Sequence, residues 1–157
     1  MSEHNVTTGY ASGKRPPPPP EATVERFNGE VVRQTMVIEM EPFGKARPRV
    51  TKNGTYLGAE YRKRKKVLRR LFGPVLVTGL LKLSIVAIRP MPQSWNQAQR
   101  RLMVGEPAKP SPDLDNIVGA VMDALFPDND DIIVSLEAHK VWGEAGALHI
   151  VIEKMGD

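Results

Sequence analysis

Six aspartates fall between Asp113 and Asp131, and no basic residue interrupts them. They form two groups. The first is Pro112-Asp113-Leu114-Asp115-Asn116, leading into an apolar-periodic stretch, and the second is Asp128-Asn129-Asp130-Asp131. In extended chain, aspartates at i and i+2 point to the same side. Pro112 favours such an extended approach, because it disfavours helix at Ser111. If a helix–turn–strand return brings Asp131 beside Asp113 and Asp115, three carboxylates converge. Hard oxygen donors of that kind suit Mg²⁺ or Mn²⁺, and the chemistry is metal-assisted phosphodiester hydrolysis. Plainer readings stay open. Asp113 or Asp115 fits a helix N-cap, where aspartate is common. Asp128–Asp131 fits a solvated turn and lacks the glycine of a calcium loop.

A basic segment stands against this acidic one. Between Lys45 and Arg70 there are eleven Lys or Arg and one acid, Glu60. The net charge is +4. A basic face is the electrostatic footprint of a nucleic-acid binder. The adjoining acidic cluster makes sense beside it when a divalent metal neutralises the carboxylates. Lys45, Arg47, Arg49, Lys52, Arg62 and Lys65 are the candidate phosphate contacts on the basic side. Lys109 and Lys140 are candidates near the acidic one. The run Arg62–Lys66 also fits a solvated helix face, and Lys140 a solvated strand residue.

The elements that must position these groups follow from periodicity. Val31–Met40 alternates and is β-branched, so it reads as a strand. Pro42–Gly58 is turn-rich, with Asn53-Gly54 as a tight turn. Ala59–Phe72 reads as a helix stopped by Gly73-Pro74. Leu80–Ile88 alternates as a strand. Ser94 is the expected N-cap of a short basic helix over Trp95–Val104. Leu114, Val118, Val121 and Leu125 make an apolar stripe at helical spacing, which predicts a helix over Asp115–Phe126. On its opposite face lie Asn116, Gly119 and Asp123, with Asn116 and Asp123 expected to support the metal site. Ile132–Trp142 and Ala147–Lys154 read as two strands joined in a hairpin at Gly143–Gly146. Trp95 and Trp142 read as packing residues. The order β-α-β-α-α-β-β is an α+β fold, a single small domain with a mixed β-sheet covered by helices. Residues 1–30, with the run Arg15–Pro20, read as a disordered proline-rich tail; residues 31–157 form the domain.

Composition narrows the function. A chain of 157 residues is one domain's worth and too short for a large multidomain enzyme. It has no cysteine, which excludes disulfides, thiolate metal sites and a cysteine nucleophile. His4, His139 and His149 are scattered and do not suggest zinc. No apolar run approaches the ~20 residues of a membrane span. No secretory h-region opens the chain. The expectation is a cytoplasmic protein with no membrane partner and no small-molecule cofactor.

Four pieces resemble the RusA family of Holliday-junction resolvases, including its phage and prophage members. They are Gly44-Lys45-Ala46-Arg47-Pro48-Arg49, then Pro92-Gln93-Ser94-Trp95, then Lys109 through Asp123 (KPSPDLDNIVGAVMD), and Asp130-Asp131-Ile132-Ile133-Val134 with Lys140 beyond. Together they span about residues 31–154. The resemblance implies a homodimeric, Mg²⁺-dependent endodeoxyribonuclease that nicks four-way DNA junctions in pairs, in recombination and repair, inside a bacterial or phage-infected cell. By position it places the catalytic, metal-binding carboxylates on Asp113, Asp115 and Asp131, and the conserved helix aspartate on Asp123. Phosphate-holding bases fall on Arg47, Arg49 and Lys140. One departure stands out: Gly119 occupies a position where the family usually has lysine. Lys109 and Lys140 are the expected substitutes. The departure also motivates an alternative, a catalytically weak or inactive module that binds branched DNA. A third reading is an adaptor acting through the proline-rich tail.

Overall fold

A computed structural model describes residues 23–46, 49–52, 54–56 and 58–157. Tail residues 1–22, and with them the proline run, lie outside the described residues. The expected tail ends earlier than residue 30, because Thr23–Phe27 forms a strand, β1, paired antiparallel with β2 (Glu30–Ile38). The turn between them is Asn28-Gly29, with φ of 50° and 79°. Two positive φ values match the right-handed twist of a two-residue hairpin, and Asn-Gly is the pair that adopts them at least cost.

Two short strands follow, β3 (Arg49–Thr51) and β4 (Gly54–Tyr56), paired with each other alone. Helix α1 runs Ala59–Phe72, as expected. Gly73, at φ 80°, ends it, and its N–H donates to Arg69 O at 3.0 Å. Strand β5 (Leu80–Pro90) follows. Helix α2 (Gln97–Met103) begins later than expected, with Asn96 rather than Ser94 as its N-cap. Asn96 Oδ1 accepts from Gln99 N at 2.9 Å, and Gln99 Oε1 accepts from Asn96 N at 3.4 Å. This reciprocal capping box satisfies two free amides at once. Helix α3 (Leu114–Leu125), a 3₁₀ turn (Asp130–Ile132), β6 (Ile133–Gly143) and β7 (Ala147–Gly156) complete the chain.

The main sheet has the order β1-β2-β7-β5-β6. Only the β5–β6 pair is parallel, so the sheet is mixed as expected. The expected β6–β7 hairpin does not form. Both strands pair with β5, which lies between them, and Glu144–Gly146 crosses over its end. The reason is burial. Leu81, Leu83, Ile85 and Ala87 of β5 are all within 1 % of full burial, so β5 needs a partner on each side. The crossing is tight: a Cβ on Gly146 would stand 2.8 Å from Glu41 Cα.

The core lies on one face of this sheet. Leu83, Ile85, Leu148, Ile150, Met36 and Ile38 pack there with Tyr61, Leu68 and Phe72 of α1 and Ile117, Val121 and Ala124 of α3. The helices cover that face only. On the opposite face Thr35, Val37, Ser84, Val86, His149 and Val151 are half-buried, in register across β2, β7 and β5. A smaller cluster of Met91, Ala108 and Trp142 holds α2, with Trp95 edge-on to Trp142 at 5.1 Å. Among the described residues, no helix is long and apolar enough to cross a membrane.

Candidate active site

The site is organised by α3. Asp113 is its N-cap residue, extended at φ −65° and ψ 146°, and Asp115 lies in its first turn. Asp113 fills the cap position with its backbone, whose carbonyl accepts from Ile117 N at 3.0 Å. Its side chain makes no capping hydrogen bond. The plain N-cap reading therefore leaves the Asp113 carboxylate unused. Asp113 and Asp115 are both exposed, and neither carboxylate has an ion-pair or hydrogen-bond partner among the described residues.

Lys140 fixes the approach to this turn. Its Nζ donates to the carbonyls of Lys109, Pro110 and Pro112 at 3.3, 2.9 and 2.9 Å. Nearby, Ala108 N donates to Lys140 O at 2.9 Å and Trp142 N to Glu106 O at 3.0 Å. An ammonium has three donors. Those of Lys140 are engaged by a loop that lacks amides of its own at Pro110 and Pro112. The residue expected to grip a phosphate thus positions Asp113 instead. Lys109 remains exposed beside it.

The chain before α1 packs on the same helix. Lys45 N donates to Asn116 O at 2.8 Å. A Cβ on Gly44 would lie 3.1 Å from Pro112 Cβ and 3.3 Å from Asn116 Cβ. The Lys45 side chain crosses Gly119, whose added Cβ would be 3.2 Å from Lys45 Cδ. Its Nζ reaches Asp123 Oδ1 at 3.5 Å. The other oxygen of Asp123 accepts from Tyr61 Oη at 2.8 Å. Burial, and then the bonded Asp123 carboxylate, raise the Tyr61 pKa far above that of a free phenol, so this hydroxyl stays a donor. Lys65 Nζ stands 4.7 Å over the Tyr61 ring, and Arg69 Nε donates to Ala124 O at 2.8 Å. The basic helix α1 is thereby bound to the acidic helix α3 along one edge. Arg62 and Lys52 are exposed. Arg49 begins β3, and Arg47 lies outside the described residues, as does Asn53 of the expected tight turn.

Asp131 is elsewhere. It lies exposed in the 3₁₀ turn that follows the C-terminal end of α3. The twelve residues of α3 at ~1.5 Å rise set that turn roughly 18 Å along the axis from the first one. The expected return does occur, with β6 running back along α3. Asp131 stands at the start of that run, and the residue that arrives beside Pro112 is Lys140. Among the described residues, no three His, Cys, Asp or Glu side chains gather closely enough to hold a metal ion. The donor chemistry of Asp113 and Asp115 suits Mg²⁺, but one chain does not bring Asp131 to them.

Sequence reasoning did not find Tyr61. Its sign was its place amid the basic run, where a polar tip on a buried ring needs a partner. Gly44 was noticed only as part of a motif.

The family model for Endodeoxyribonuclease RusA matches residues 39–153. That interval holds β5, β6 and most of β7, all three helices, and every acidic and basic residue placed above. No curated protein matches the chain.

Proposed function

This chain belongs to the RusA endodeoxyribonuclease family, whose members are nucleases acting on Holliday junctions, and on that footing we propose that it is a Mg²⁺-dependent endonuclease resolving four-way DNA junctions by paired nicks, in recombination and repair in the cytoplasm. The observation that supports it best is the joining of α1 to α3. Two carboxylates with no partner among the described residues, Asp113 and Asp115, stand on a helix whose flank carries Lys45, Tyr61 and Lys65. DNA phosphates are drawn to such a basic edge, and these contacts hold the backbone without reading bases. Recognition is then by branched shape.

Asp113 and Asp115 are the residues that would hold Mg²⁺, or Mn²⁺ in its place, from this chain. When bound, the ion supplies Lewis-acid stabilisation of the phosphate's charge. Lys140 keeps Asp113 in place by holding the preceding carbonyls. The distance to Asp131 supports a homodimer. A two-fold arrangement, in which Asp131 of one copy approaches Asp113 and Asp115 of the other, gathers the three carboxylates that one chain leaves apart. The same symmetry gives one nick on each of two strands of a symmetric junction.

The test is nicking of a labelled four-way junction, plain duplex and single strand, with Mg²⁺ and then Mn²⁺. Asp115→Asn serves as the control. Nicks confined to the junction and lost in the variant are expected. Tight, salt-sensitive junction binding without nicking in either metal would overturn the nuclease reading in favour of a branched-DNA-binding module. Wild-type cleavage by Asp115→Asn would remove the site assignment. Deleting residues 1–22 separates the tail, which is expected to leave nicking unchanged.

A further inference from the structure

Asp115, Gly119 and Asp123 are spaced i, i+4, i+8 and form one stripe along α3. The stem of Lys45 lies on this stripe. Its backbone is tied to Asn116, its Cδ passes the bare Cα of Gly119, and its ammonium ends at Asp123. We propose that Lys45 is the cation that meets the reacting phosphate on this face, and that position 119 is glycine so that the lysine stem can lie against the helix. This rests on the nuclease reading above.

An incidental ion pair does not account for the arrangement. The Lys45 side chain is 50 % exposed and that of Asp123 30 %. A pair so open to water contributes little stability. Yet the chain brings several features to bear on it. Gly44 allows the approach to Pro112 and Asn116, Gly119 clears the stem's path, and the Tyr61 hydroxyl holds Asp123 from behind. Together they fix where one ammonium rests while DNA is absent. The ammonium rests at Asp123, ~12 Å along the axis from Asp115, while the base of the stem is tied beside Asp115 at Asn116. A flexible stem lets the ammonium leave Asp123 and swing back to present its N–H groups to a phosphate oxygen held beside Asp115. Hydrolysis forms one P–O bond from water and breaks one P–O bond to the sugar, and a proton passes from the water to the leaving oxygen or to solvent. Lys45 stays protonated throughout, opposing the negative charge that gathers on the phosphate.

The experiment uses the full chain and measures single-turnover nicking of a four-way junction. Junction affinity is measured in parallel in an Asp115→Asn background. Lys45→Met keeps the length of the stem without its charge. Nicking is expected to fall about 10²–10³-fold, the loss typical of removing one preorganised donor, while affinity changes by no more than about threefold, as for one contact among many. Lys45→Arg should retain part of the rate, which guards against a folding defect. The decisive variant is Lys45→Met combined with Gly119→Lys, where a lysine grows from the spot the original stem crossed. It should recover nicking at least about tenfold, since a restored donor regains part of that loss. Nicking by Lys45→Met within about twofold of wild type, a loss of rate matched by an equal loss of affinity, or no recovery in the double variant would each overturn the assignment to Lys45. Those results would leave the nuclease reading intact, because wild type still cuts. If wild type itself cuts no DNA, both fall together.

Discussion

The two ends of α3 carry carboxylates of the same kind in different settings. At the N-terminal end Asp113 and Asp115 are braced: Lys140 ties the loop before them, and Gly44 and Lys45 pack on the turn after them. At the C-terminal end Asp131 sits in a short exposed turn, unpartnered among the described residues. A side chain that must be held in one geometry needs surroundings that fix its backbone. A side chain delivered to another surface needs only to be exposed. The proposed dimer uses this difference, with the braced pair on one copy and the exposed Asp131 delivered by the other.

Mixing variants would break that contrast most sharply. Asp115→Asn and Asp131→Asn should each be inactive alone. Mixed and allowed to exchange subunits, they should regain nicking, because one composite site in the mixed dimer carries both substitutions and the other carries neither. Gel assay of junction nicking over the time of exchange reads the effect, from none to measurable. No recovery would put both aspartates in the same subunit's site or rule out exchange, and sizing of a tagged mixture separates these two.

A smaller effect is expected at the brace. Lys140→Ala removes three charge-assisted hydrogen bonds and should cost about 1–2 kcal/mol of stability after allowing for solvent access. Urea unfolding would show it, and nicking should fall further than junction affinity. Unchanged stability would mean that the loop holds Asp113 unaided. Smaller again is Tyr61→Phe. It removes the hydroxyl that holds Asp123, at about 1 kcal/mol by the same unfolding measurement, and should loosen Lys45 without removing it.

The smallest effect lies away from both ends, on the sheet face that none of the described helices covers. Burial lowers the pKa of His149 below its ordinary 6.5. The unfolded chain therefore binds that proton more readily than the folded one. The contribution of His149 to stability is full above pH 6.5 and is lost as the pH falls below that value toward the lowered folded pKa. His149→Gln should flatten this slope in thermal unfolding between pH 7 and 5. A slope that persists in the variant would assign it to other groups.

Much of the fold was legible because its causes are local. The bounds of α1 follow from its apolar spacing and the Gly73-Pro74 stop, and α3 begins within a residue of its expected start. The strands β2, β5 and β7 show their alternation directly. Asn28-Gly29 was equally local and was passed over, because the segment around it reads as tail. The pairing of β6 was not legible. Its sequence alternates as well beside β5 as it would beside β7, and only the demand of β5 for two neighbours decides between them.

The site divides in the same way. Residue types and spacing along the chain located a basic helix, a pair of aspartates on a helix start and a later acidic turn; that they belong to one nuclease domain came from the family resemblance. These are properties of charge and short-range geometry, which any chain with this order expresses. Tertiary structure alone decided who meets whom. The rise of a twelve-residue helix carried Asp131 away and brought Lys140 to the loop in its stead. Close packing at Gly44 and Gly119 laid the stem of Lys45, one of eleven basic residues in its segment, along α3 between Asp115 and Asp123. Distances between residues far apart in sequence are set by how elements pack, and no pattern along the chain contains them.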